Sequence, residues 1–417
     1  MRRVFWLLVM LIVFSGAAVG EEEPVTLEYW LRDANLKDIE YNEVIKPFME
    51  LHPNITVNMV LLPSYDVKLR TSLAAGVIPD VYNVSVADAW DFANLGFAMN
   101  LQPLLQELDP DMYFWPIMHD LRWPNRQGDL YTFPFAWVAS VTYYNKGLFK
   151  NSGVSYPTNS WDWLTLRSAA KKLTRDVDGD GKPDEWGFLA GTSHEVLDSM
   201  IYGWGGTVLD EAQRKATLDN PKSIEAIQFM MDLVHVDQVA PPLSVSGLSI
   251  VNNNLAMTVE GSYRIHGFRA TPGVDWDIAM VPKSPLGRVT YGGPDGVQIS
   301  RTTEHPKEAW EFVKYLVGSQ RSIKGFMGGK VPINRKVATS KEWLEPELLP
   351  ANKYTIIDSV DYVRGADFGT TQWWTWRSQM STALRPALLN EQSVASAVLE
   401  ANILIDNILN SVTVRAH

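Results

Sequence analysis

Apolar and polar positions fall into a repeating order at the start of the chain. Val25–Trp30 alternates and ends on an aromatic residue, the pattern of a half-buried strand. Ile39–His52 places apolar residues at helical spacing (Tyr41, Val44, Ile45, Phe48, Met49), and Pro53-Asn54 stops it. Ile55–Leu62 reads as a second strand, Val67–Ala75 as a helix closed by Gly76, and Pro79–Val84 as a third, buried strand. The order β-α-β-α-β favours a parallel sheet with right-handed crossovers. It predicts a doubly wound α/β lobe, in which ligands bind beyond the carboxyl ends of the strands. Trp30 to Asp33 follow the first strand and Ser85 to Asp88 the third. Each has a bland alternative: Trp30 as a packed core indole, Asp88 as an acid at a helix N-terminus, stabilised by the dipole.

Tyr131–Phe149 is rich in aromatic and β-branched residues and nearly free of charge. It reads as extended chain buried on both sides. Pro134 has no N–H for a ladder, so the first half belongs at an edge, a bulge or a crossing between sheets. Ala136 to Tyr144 fits a central strand, and Asn145-Lys146-Gly147 ends it. Two readings stay open. The stretch is one core strand, or it leaves one lobe at Pro134, crosses a cleft and enters a second lobe near Trp137.

Farther on, a helix is expected from about Ser160, a plausible N-cap, to Leu173. The tail from Ser340 reads as helical in pieces. Within it Trp373 and Trp376 share a face by i,i+3 spacing while Trp374 points elsewhere.

The 417 residues allow two domains with separate cores. The net charge of −11 offers no basic stripe, which argues against nucleic acid or an anionic membrane surface as partner. With no cysteine, disulfides, thiolate metal sites and a cysteine nucleophile are excluded. Residues 1–20 have the form of a signal peptide: Arg2-Arg3, the short apolar run Val4–Phe14, then Ala18-Val19-Gly20 before acidic residues. The expected product is periplasmic or secreted, soluble, monomeric and without a lipid-carrying cysteine.

Asp176-Val177-Asp178-Gly179-Asp180-Gly181-Lys182-Pro183-Asp184-Glu185-Trp186-Gly187 is the most explicit chemical motif. Alternate carboxylates on a glycine-bearing turn can wrap oxygens around a hard cation, and Ca²⁺ takes six to eight. The candidate donors are Asp176, Asp178, Asp180, the Lys182 carbonyl, and Asp184 or Glu185. The loop departs from the EF-hand at its twelfth position, Gly187, so any Ca²⁺ here is structural and needs further ligands. The alternative is an acidic turn without metal.

Several stretches lie in one family's order. Gly128-Asp129-Leu130-Tyr131-Thr132-Phe133-Pro134 with Tyr143-Tyr144-Asn145-Lys146 resembles the first interlobe crossing of extracellular solute-binding proteins of the maltose-binding type, which feed sugar ABC transporters. Gly203-Trp204-Gly205-Gly206, Leu255–Tyr263 and His305–Val313 are similar to later stretches of that family. The resemblance covers nearly all of the chain after residue 20. It implies two periplasmic-binding-protein-like lobes of type II, joined by hinge crossings. The N-terminal lobe would be 24–135 with 290–333, and the C-terminal lobe 136–289 with 334–417. It implies that Trp30, Asp33, Ser85, Asp88, Trp137, His194, Trp204, Tyr263, Trp373 and Trp374 face an oligosaccharide, with Tyr263 stacking on it. Gly292 and Gly293, on the return crossing, would let backbone approach the ligand. Closure around the sugar would present the protein to a membrane permease, without catalysis.

Sixteen tryptophans agree with that ligand class, because flat rings meet the apolar faces of sugars while polar groups meet their rims. The rival readings are a carbohydrate hydrolase pairing Asp33 with Asp88 or Asp367 with Glu195, and a binding protein for polyols or glycerol phosphodiesters. A phosphate ligand would want clustered arginine; Arg70, Arg264 and Arg335 are scattered in sequence.

Overall fold

The computed structural model describes residues 23–119, 121–124, 126–319, 324–325, 329–364, 370 and 372–411. The signal-peptide segment and Asp367 lie outside them. Among the described residues no helix is long and apolar enough to cross a membrane.

Strands β1 (Val25–Leu31), β2 (Ile55–Leu61) and β3 (Val81–Ser85) form the parallel core of the first lobe. β1 lies between the other two, with Val25 opposite Ile55 and Tyr29 opposite Val81. Tyr29 is fully buried and donates to Glu40 Oε1 at 2.6 Å, so the first helical segment is tied to the sheet. Helices α1 (Tyr65–Ala74) and α2 (Val86–Asn94) follow β2 and β3 directly. A small antiparallel pair, β4 (Arg122–Trp123) and β5 (Asp129–Leu130), precedes the long strand β6 (Phe133–Asn145).

β6 changes its neighbours midway. From Phe133 to Ala139 it pairs antiparallel with β9 (Thr290–Ile299), and Trp137 pairs with Val331 of β10 (Val331–Pro332). From Ser140 it pairs instead with β7 (Met257–Gly261) and β8 (Trp276–Met280). The stretch is one central strand that passes from one lobe to the other, and it changes partners after Ala139 and not between Pro134 and Trp137, where it still pairs with β9 and β10. Pro134 sits where the register shifts between Pro134 and Ala136, a bulge that tolerates the missing donor. β9 makes the return passage, pairing with β3 at Asp295–Ile299 and with β11 (Val363–Arg364) at Thr290–Tyr291. Where β6 changes partners, the Thr290 hydroxyl donates to the Ser140 carbonyl at 2.6 Å.

The second lobe stacks α3 (Trp163–Leu173), α4 (His194–Gly203), α5 (Pro221–His235), α7 (Trp373–Leu388) and α8 (Val394–Asn410) around β7 and β8, while α6 (Pro306–Gly318) returns to the first lobe. α3 starts two residues later than the expected Ser160 cap. Asp162 caps it, accepting from the Thr165 N–H at 2.7 Å, while Ser160 Oγ is occupied by Thr158. A buried ion pair between Asp198 and Arg377 joins α4 to α7.

Gly292 corrects a sequence expectation. A Cβ there would meet the Val138 carbonyl oxygen at 2.3 Å and Val363 at 2.9 Å. The glycine serves the close approach of β9 to β6 and β11, not that of a ligand. Gly293 is buried in the same ladder opposite Val138. Gly292→Ala should lower the unfolding free energy by about 1–3 kcal/mol, the usual range for overpacking. Gly267→Ala, where nothing lies within 4 Å, should cost nothing measurable by urea denaturation.

Candidate functional site

Two adjoining cavities sit at the carboxyl ends of β1 and β3 and share Arg32. The larger, about 540 Å³, is lined from the first lobe by Arg32, Asp66, Val67, Arg70, Asp88 and Asp91, and from the second by Gln372, Trp373, Trp374 and Thr375. The smaller, about 250 Å³, is lined by Arg32, Asp33, Leu36, Asn83, Val84, Phe135, Asp295 and Lys330.

The first-lobe wall is a chain of ion pairs. Arg32 binds Asp66 through two hydrogen bonds of 2.9 and 3.2 Å and lies 3.9 Å from Asp295, which Lys330 holds at 2.7 Å. Arg70 bridges Asp88 and Asp91, the latter at 3.2 Å. Ser85 Oγ donates to the second oxygen of Asp88 at 2.9 Å. Burial raises the Asp91 carboxyl above its ordinary range, against the opposing pull of Arg70 and of the Gln372 N–H. Asp33 caps the short turn Ala34–Leu36 and reaches the smaller cavity.

The second-lobe wall is aromatic. Trp373 and Trp376 share a face, as their spacing predicts, and both are fully buried, so Trp373 borders the cavity from the core and not with an open ring as expected; Trp374 is 54 % exposed. Trp373 and Trp374 meet edge to face at 4.6 Å, and the His194 ring packs against Tyr291 at 4.5 Å and Trp373 at 5.4 Å. Glu195, in the first turn of α4, accepts the Tyr263 hydroxyl at 2.6 Å and lies 3.4 Å from His194 Nε2. Tyr263 is 43 % exposed, a phenol face open to solvent with its hydroxyl fixed.

Three expected contacts are core residues instead. Trp30 lies inside β1 at 4 % exposure with its indole N–H on Glu28 Oε1 at 2.6 Å. Trp137 is 1 % exposed and packs edge-on to Phe114. Trp204 packs between Trp163 and Phe229. The loop after β1 is at the cavity as expected, but Arg32 and Asp33 carry it. Asp66, Asp91, Asp295 and Lys330 were not singled out from the sequence. Their only sequence signal is their charge, which many solvated residues share.

In the acidic loop, carboxylate oxygens of Asp176, Asp178 and Asp184 lie within 4.8 Å of one another. Loop amides already orient them: Asp176 accepts from Gly179 and Gly181, and Asp184 accepts from Val177. This hard, all-oxygen set fits Ca²⁺. Glu185 does not join it, because Arg175 binds its carboxylate at 2.7 Å. Asp180 turns to the Lys182 N–H at 2.8 Å and stands outside the cluster.

A family model for bacterial extracellular solute-binding proteins matches residues 33–320. A multiple sugar-binding protein of Streptococcus mutans is 24 % identical over 371 residues, covering 79 % of this chain and 84 % of that protein. Among solved structures, the sugar-binding protein MalE of Xanthomonas citri superposes with a TM-score of 0.80 at 20 % identity, covering 93 % of this chain and 98 % of that one. An ABC substrate-binding protein of Listeria monocytogenes in complex with cycloalternan gives 0.75 at 21 % identity, over 93 % and 100 % of the two chains.

His194 supplies a pH test. Burial, opposed by Glu195 and aided by Arg377, lowers its pKa from 6.5 to about 4. Between those values the unfolded chain binds the proton and the folded chain does not, so stability falls as pH drops through this window. The loss should approach roughly 3 kcal/mol at its acid end. Denaturation of His194→Gln beside the parent from pH 7 to 4 should show a shallower slope in the variant.

Proposed function

The chain belongs to the bacterial extracellular solute-binding proteins, and from that premise we propose that it binds a neutral oligosaccharide between its lobes and delivers it to an ABC permease. The protein acts as a monomer outside the cytoplasmic membrane, and it transfers the sugar unchanged. One observation carries this reading: a cavity with an exposed indole on one wall and a fixed ring of paired charges on the other. Trp374 meets the C–H face of a sugar ring, while Asp66, Asp88, Arg32 and Arg70 offer acceptors and donors to its hydroxyls. The names of the Streptococcus and Xanthomonas proteins support the ligand class.

The charge pairing separates this ligand from phosphodiesters. Each cation lining the two cavities among the described residues already has a carboxylate: Arg32 has Asp66, Arg70 has Asp88 and Asp91, and Lys330 has Asp295. An anionic ligand would have to displace a carboxylate from its partner. Arg264 is held by Glu260 at 2.6 Å and Arg335 stacks on Phe114, so neither adds a phosphate clamp. For the hydrolase reading, both Asp88 oxygens are engaged by Arg70 and Ser85. Ca²⁺ at Asp176, Asp178 and Asp184 is part of the proposal as a brace for the loop after α3, remote from the sugar.

A thermal-shift screen of the chain from residue 21 onward tests both parts. A neutral oligosaccharide at 100 times its Kd should add about 2.7 kcal/mol, and glycerol phosphodiesters should add nothing. Trp374→Ala should weaken sugar binding by about tenfold, from the loss of about 1.4 kcal/mol of stacking, and leave the ligand-free melting temperature unchanged. A chelator should lower the melting temperature of the parent and not that of Asp178→Asn. A shift with phosphodiesters alone, or sugar breakdown, would overturn the reading.

A further inference from the structure

Helix α7 begins without a side-chain cap of its own. Gln372 occupies the N-cap position in a left-handed conformation, φ 55° and ψ 33°, and its side chain makes no capping hydrogen bond. Its carbonyl takes the first helical bonds, from Thr375 at 3.0 Å and Trp376 at 3.2 Å. Its own N–H is answered from the opposite lobe, donating to Asp91 Oδ1 at 3.2 Å. Asp91 lies toward the end of α2, and Arg70 holds its other oxygen through two hydrogen bonds of 3.3 and 3.2 Å. One carboxylate therefore has one oxygen anchored in the first lobe and one engaged in the second. The two residues that follow Gln372 are Trp373 and Trp374, the aromatic wall of the cavity.

We propose that Asp91 is a positioning residue that caps α7 across the cleft, so that lobe closure and ordering of Gln372 and the exposed Trp374 indole are one event. This deepens the carbohydrate reading, and rests on it only for what the indoles meet. The physical grounds are general. The first N–H groups of a helix have no partner within it, and the partial positive charge there favours a carboxylate. A side-chain-bearing residue at positive φ is held by its surroundings, not by its own preference. Opening the lobes removes the acceptor, returns the Gln372 N–H to water and releases Gln372 and the Trp374 indole. The rest of α7 has independent anchors in Arg377 on Asp198 and in Trp376 Nε1, which donates to Thr370 Oγ1 at 2.9 Å. The effect is therefore local to the first turn.

Amide hydrogen exchange of the ligand-free chain from residue 21 onward, followed by mass spectrometry, tests the cap without a sugar. Asp91→Ala should speed exchange in Gln372–Trp376 about tenfold and leave Met380–Leu388 at the parent rate. Asp91→Asn, which keeps an acceptor oxygen, should restore most of the protection. Parent-like exchange in Asp91→Ala would overturn the proposal. So would equal loosening by Asp91→Asn, or a uniform rise along the whole helix, which would make Asp91 a general stability residue. Maltotriose then serves as a probe, with its Kd expected to rise at least fivefold in Asp91→Ala and to recover in Asp91→Asn. If maltotriose does not bind the parent, the choice of sugar is wrong, while the exchange data still decide the cap.

Discussion

The antiparallel pairing of β6 with β9 is the constraint on which the rest depends. Each strand is hydrogen-bonded in both lobes, and they pair with each other along the passage, from Phe133 with Val297 to Ala139 with Gly292. The lobes are thus linked by sheet and not by loose chain, and a relative rotation has few places to go. It must bend where β6 exchanges β9 and β10 for β7 and β8, between Ala139 and Ser140. There the Thr290 hydroxyl and the Ser140 carbonyl bond across the two strands, and Gly292 lets the backbones touch. A hinge built this way confines closure to a narrow arc. That arc brings α2 of one lobe against the start of α7 of the other.

The walls that meet along that arc differ in kind. The first-lobe wall is polar and fixed, since its arginines and lysine are tied to carboxylates before any ligand arrives. The second-lobe wall is aromatic, with His194 kept neutral by burial among Tyr291, Trp373 and Trp374. A neutral polyol ring suits this arrangement because it asks each wall for what that wall already presents. It needs no counter-charge, so the ion pairs stay intact, and its apolar face covers an indole that otherwise stays in water.

The sequence was most legible where local rules act alone. The β1-β2-β3 order, the bulge forced by Pro134, the stop after Asn145 and the carboxylate loop at Asp176 all follow from residues within a few positions of one another. The indoles were legible only in part. Trp373 and Trp376 could be paired by helical spacing, and Trp374 set apart from them. Apolar pattern does not distinguish a tryptophan that fills a core from one that lines a cavity, and Trp30, Trp137 and Trp204 prove to be core. Asp66, Asp91, Asp295 and Lys330 come from four distant segments of the chain, and only the folding of the first lobe brings them to one wall. Glu185 shows the same limit at short range: its spacing suits a metal, but Arg175, ten positions earlier, takes its carboxylate.

The buried Asp198–Arg377 pair explains how the aromatic wall keeps its shape while the lobes move. Removing either partner would leave the other charged in a site with almost no water, so the pair is a strong lock on relative position even though its net stabilisation is small. It fastens α7 to α4, and α4 carries His194 and Glu195, which in turn fix Trp373 and the Tyr263 hydroxyl. The buried part of the wall, from the Tyr263 hydroxyl through His194 to Trp373 and Trp376, therefore moves as one body. Its margin is Gln372, which looks outward to Asp91, and the exposed Trp374 indole. Selectivity and closure then meet in one group: the paired charges decide which ligand enters, and Asp91, one of them, also answers the Gln372 N–H of the other lobe.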